Sequence, residues 1–168
     1  MLKRLKVWGV VATALILILA TGCGAAQKKA EQKISDKIAG QAIGGKVESS
    51  NNGVKIEANG TTIETGQDLK WPQQAMGDLP QPNGKITAVM NSNSSEGCTV
   101  NVSEMSLDDA KAYVAKLKAL GYKDGLEING ADGRLYTVSG ENSSGASAGF
   151  TYDADPKEGT IYYKTAKK

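Results

Sequence analysis

Histidine is absent from this chain of 168 residues, which removes the Ser-His-Asp triad, the Cys-His nucleophile and every zinc site that uses imidazole. Cysteine is nearly as scarce, with two residues, Cys23 and Cys98, where a thiolate zinc site would need several. Glycine is plentiful at 20 residues, yet neither the Walker spacing nor the dinucleotide fingerprint stands ahead of a helical pattern. The concentrated basic footprint of a nucleic-acid binder is missing too. No cofactor is implied, and any acid-base chemistry falls to carboxylates.

What is there begins at the N-terminus, where Lys3, Arg4 and Lys6 precede an apolar run of 14 residues from Val7 to Ala20, followed by small residues and Cys23. That order is the order of a signal peptide, and the run is shorter than the roughly 20 residues a membrane-spanning helix needs. Leu19-Ala20-Thr21-Gly22-Cys23 resembles the lipobox of bacterial lipoproteins. The resemblance implies cleavage after residue 22, a diacylglyceryl group and an acyl chain such as palmitate on Cys23, and a stable membrane anchor, because two or more chains hold a protein where one does not. It also leaves Cys98 without an intramolecular disulfide partner. Cleavage changes the charge: the 20 basic residues less Lys3, Arg4 and Lys6 are 17, against 18 acidic ones. The formal +2 becomes −1.

Along the mature chain, residues 23–45 hold the lipidated N-terminus and a tether helix, with Ala30, Ile34, Ile38 and Ala42 on one stripe and Gly44-Gly45 to stop it. Residues 46–66 alternate in polarity and are broken by Asn52-Gly53 and Asn59-Gly60, which predicts a short β-meander. Residues 67–84 carry Trp71-Pro72, Leu79-Pro80 and Gln81-Pro82 and read as a linker. Residues 85–168 form the main domain. Ile86, Ala88 and Met90, then Cys98, Val100 and Val102, alternate as a hairpin. Cys98 is therefore expected as a small buried hydrophobe. Ser106 caps a helix whose first turn holds Asp108 and Asp109, and Leu107, Ala110, Tyr113, Val114, Leu117 and Leu120 make its apolar face. Strand-like runs follow at 126–129, 134–139, 146–152 and 160–165. The expected class is α+β, a small antiparallel sheet with one helix packed on it in ββαβββ order, with one extra short strand allowed for.

Ile43-Gly44-Gly45-Lys46-Val47, Leu69-Lys70-Trp71-Pro72, Leu79-Pro80 with Gly84-Lys85-Ile86-Thr87, Asp109-Ala110-Lys111-Ala112-Tyr113, Leu117-Lys118 and Leu120-Gly121-Tyr122 span most of the mature chain. On these residues it resembles a family of uncharacterised, mostly Gram-positive lipoproteins. The resemblance implies a lipid-anchored α+β domain of unknown function and brings no catalytic residues with it.

Side chains with chemistry are few. Asp108 and Asp109 are explained as helix-capping carboxylates. Asp153, Asp155 and Glu158 cluster on a turn and are weak candidates for a calcium site, interrupted by Pro156 and Lys157; no metal is expected. Trp71, Tyr136, Tyr152, Tyr162 and Tyr163 are the candidate binding surface, with Tyr162 and Tyr163 bound to opposite faces of one strand. The reading is a lipoprotein on the extracytoplasmic face of the cell membrane, held there by its N-terminal lipid. It is a non-catalytic binding or interaction module whose partner is an envelope protein or wall polymer, not nucleic acid. The alternatives are a structural or stress-related envelope component without a small ligand and, last, a carboxylate-dependent hydrolase.

Overall fold

Asn59 and Gly60 both adopt positive φ, 50° and 74°, the conformation a two-residue hairpin turn demands and that asparagine and glycine tolerate best. Short turns of several kinds fold the chain back on itself repeatedly. The structure is a computed structural model describing residues 36–38, 40–42, 44–92, 97–130 and 134–166. The expected signal peptide, Cys23 and the first part of the tether helix lie outside the described residues.

Among the described residues nine strands and one long helix follow in order: β1 (Gly45–Ser50), β2 (Gly53–Ala58), β3 (Thr61–Gly66), β4 (Lys85–Ser92), β5 (Gly97–Ser103), α1 (Leu107–Ala119), β6 (Lys123–Asn129), β7 (Leu135–Glu141), β8 (Ser147–Asp153) and β9 (Glu158–Lys164). All nine form one antiparallel sheet in the order β1-β2-β3-β4-β5-β9-β8-β7-β6. The α+β class, the antiparallel sheet and the single packed helix are as the sequence predicts. Two features differ. The sheet is not small, because β3 pairs with β4 and joins the meander to the rest. The order from β4 onward is ββαββββ, not ββαβββ, because four full strands follow the helix. The extra strand is β6 at the sheet edge, whose exposed Lys123 and Glu127 dilute the apolar alternation that marks a strand.

The helix begins as its sequence dictates. Ser106 accepts from the Asp109 backbone N–H at 3.1 Å, satisfying one of the donors a helix N-terminus leaves unpaired. Ala110, Tyr113 and Leu117 are buried along one side, and the helix lies over β8. Between them sit Val100, Val102, Phe150, Tyr152 and Ile161, all at most 1 % exposed. Residues 67–84 contribute to the same core through Met76 and Leu79, both fully buried. Tyr122 Oη donates to Asp78 Oδ1 at 2.6 Å, and Gly77 (φ 58°) lies so close to the Tyr163 ring that a Cβ would come within 2.5 Å of it.

Register divides the sheet into two faces. On the helix face, Cys98 pairs with Tyr163 and Val100 with Ile161, while Ile161 also pairs with Phe150 and Phe150 with Val138. Across β1 to β3 the same face turns charged, with Lys55 opposite Glu64 and Glu48, and Lys55 forms ion pairs with Glu57 and Glu64 at 2.8 and 3.6 Å. The apolar residues of these strands, Val47, Ile56 and Ile63, pair with one another on the opposite face. Polarity therefore inverts along the sheet. Helical residues around Asp36 dock at the β1 end of that opposite face, where Asp36 accepts from the Ser49 hydroxyl at 2.6 Å and from its backbone N–H at 3.0 Å.

Candidate functional site

The face of the sheet opposite α1 is the open one. Following the registers across it, Ile63 pairs with Met90, Met90 with Thr99, Thr99 with Tyr162, Tyr162 with Gly149 and Gly149 with Ser139. The next row is Ala88, Asn101, Thr160, Thr151 and Thr137. Paired residues of an antiparallel ladder project to one side, so each row is a continuous line of side chains. Met90 and Tyr162 are 41 % and 40 % exposed, and Asn101, Thr160 and Thr151 are exposed as well. Among the described residues no element covers these positions.

Tyr162 holds a specific pose. A Cβ on Gly149 would lie 2.1 Å from the Tyr162 ring, so the ring rests directly over the glycine and lies along the sheet. One face of the aromatic is packed on backbone; the other faces outward. Around it the polar groups are ordered by their neighbours: the Thr160 hydroxyl donates to Asn101 Oδ1 at 3.1 Å, and the Thr137 and Thr151 hydroxyls lie 3.3 Å apart within hydrogen-bond reach. A hydroxyl has one donor and two acceptor positions, so each keeps capacity for a further partner.

The other proposed surface aromatics are placed differently. Tyr152 is 1 % exposed and donates to the Met105 carbonyl at 3.0 Å. It belongs to the core, stacked near Phe150 at a centroid distance of 6.4 Å, and its place on a binding surface is thereby corrected. Alternation with buried Phe150 puts it on the helix face. Tyr163 lies on the helix face, half-buried, and desolvation followed by the Asp78 charge pushes its hydroxyl pKa up. Tyr136 and Trp71 are half-buried and packed on the same core, and Trp71 Nε1 is buried without a hydrogen-bond partner among the described residues. Of the five aromatics, Tyr162 alone stands on the open face; they do not converge on one site. Cys23 lies outside the described residues.

The carboxylates are engaged locally. Asp109 is drawn below the usual carboxylate range by its hydrogen bonds with Ser106 and then Asn83, the latter at 2.6 Å. Asp153 Oδ1 accepts from the Asp155 backbone N–H at 3.1 Å, and Asp155 pairs with Arg134 at 3.0 Å. Among the described residues no group of three or more His, Cys, Asp or Glu is placed to hold a metal ion. A groove of ≈ 510 Å³ runs between the helical residues near Asp36 and β1, remote from the Tyr162 rows in the strand order. Sequence reasoning missed Met90, Thr99, Asn101, Thr151 and Thr160 as neighbours of Tyr162. The polarity of the threonines and Asn101 was visible, but the rows that bring them beside Met90 and Tyr162 depend on pairing between β4, β5, β9 and β8.

No protein-family model, curated protein or solved structure matches this chain. Among the described residues no helix is long and apolar enough to cross a membrane.

Proposed function

We propose that this chain is a lipid-anchored extracytoplasmic protein that works as a non-catalytic binding module, with the open sheet face around Tyr162 as its contact surface. The anchor reading rests on the order of basic residues, a 14-residue apolar run and Cys23, and on the likeness to lipoproteins already described. The observation that carries the binding reading is the Tyr162 ring, 40 % exposed and laid over Gly149 on a face that no described element covers. Aromatics held rigidly with one face outward supply contact area at little entropic cost. The non-catalytic reading leans on the local engagement of two carboxylates, since Asp109 bonds Ser106 and Asn83 and Asp155 pairs with Arg134.

Replacing Cys23 by Ala tests the anchor. Metabolic labelling with a fatty-acid analogue is expected to mark the parent chain and not Cys23→Ala, and detergent-free washing is expected to leave only the parent's label in the membrane fraction. Acyl label retained by Cys23→Ala would remove the anchor from the account.

A further inference from the structure

The two central rows of the open face carry no charged side chain: Met90, Thr99, Tyr162, Gly149 and Ser139 in one, and Ala88, Asn101, Thr160, Thr151 and Thr137 in the other. Charges stand at their margins, with Lys164, Glu141 and Lys123 in the row on one side and Lys85, Glu158 and Asp153 in the row on the other. An anionic polymer demands Lys or Arg where its charges lie, and a charged protein surface demands opposite charges. Complementarity here is to an uncharged partner.

Shape narrows the partner further. Small ligands are held in concave sites that bury most of their surface, whereas these rows lie on an open sheet. The row from Met90 to Ser139 crosses five strands, about 19 Å at the usual strand spacing. Such a surface suits an extended chain with a repeated unit. Tyr162 offers the outward face of its ring, on which the apolar C–H face of a pyranose stacks, and its neighbours Thr99, Thr160 and Asn101 offer hydroxyl and amide groups that match vicinal sugar hydroxyls in donor and acceptor character.

From these features, and resting on the reading of this face as the contact surface, we infer that its ligand is a neutral glycan chain lying across β4, β5, β9 and β8 with one sugar stacked on Tyr162.

The test is co-sedimentation of the full-length protein, in mild detergent, with insoluble chitin, cellulose and purified wall sacculi, with soluble chito- and cello-oligosaccharides as competitors. Retention on at least one of these glycans, displaced by its oligosaccharide, is the expected result. Tyr162→Ala is expected to weaken retention roughly tenfold, as truncation of an aromatic anchor does. Tyr162→Phe is expected to keep it, and Thr160→Val to weaken it with the fold intact by circular dichroism. Retention unchanged in Tyr162→Ala overturns the inference, as does retention on none of the glycans. Oxidative footprinting of Tyr162 in the intact envelope separates the two levels. Protection there without glycan retention overturns the glycan class and leaves the contact surface standing; no protection and no retention overturn both.

Discussion

At Cys98 the alternation of β5 turns a thiol inward, where it is 2 % exposed. Burial pushes its pKa up from 9.0 to about 11, because the thiolate is the form that loses hydration. The folded chain then holds a proton that the unfolded chain releases between those values. Stability from this group is complete below about pH 9 and is lost as pH rises toward 11. The urea midpoint of a chain starting at Gly24 is expected to fall over that interval, and to fall less in Cys98→Ala; an identical slope would show that the thiol is not responsible. Tyr113 raises a different question. Its hydroxyl is buried with no hydrogen-bond partner among the described residues, so Tyr113→Phe removes an unpaired polar group and is expected to raise stability by about 1 kcal/mol. A loss of stability would show that the hydroxyl is bonded. That adjacent Tyr162 and Tyr163 face opposite sides was legible from strand geometry alone. Which of them faces the helix was not, since it is set by the pairing of Tyr163 with Cys98 across 65 positions of chain. Tyr152 was the reverse case: expected on the binding surface, it carries in its alternation with Ala148 and Phe150 the pattern that places it in the core.

The helix and the local hairpins were the most legible elements because their signals lie within a few residues. Ser106 ahead of Asp109 announced the helix start, and Asn59-Gly60 announced the turn between β2 and β3. Ser106→Ala is expected to cost about 1 kcal/mol, read as a lower urea midpoint. Pairing of β3 with β4 and of β5 with β9 left no local trace. Neither did the contribution of residues 67–84, whose prolines and turns read as a linker although Met76 and Leu79 are fully buried. Leu79→Ala empties a site in the shared core and is expected to cost roughly 2–5 kcal/mol. A cost below 1 kcal/mol, measured by the same unfolding curve, would show that this segment is not held as the structure places it.

Across the whole molecule, the inversion of polarity along one sheet leaves its two ends unequally secured. Around β5, β8 and β9 the helix and residues 67–84 bury one face, while in β1 to β3 only Val47 is buried. Amides of β2 and β3 are expected to exchange with deuterium well before those of β5 and β8, since local opening follows the density of buried contacts. The same arrangement leaves the Tyr162 rows uncovered among the described residues, and a face so exposed is the one available to a partner. Hydroxyl-radical footprinting of the full-length protein, purified and in its intact envelope, tests that claim most directly. Tyr162 and Met90 are expected to oxidise readily in the purified protein and to be protected in the envelope, with Tyr152 protected in both. Equal oxidation of Tyr162 in the two preparations would contradict the assignment of the open face as the contact surface.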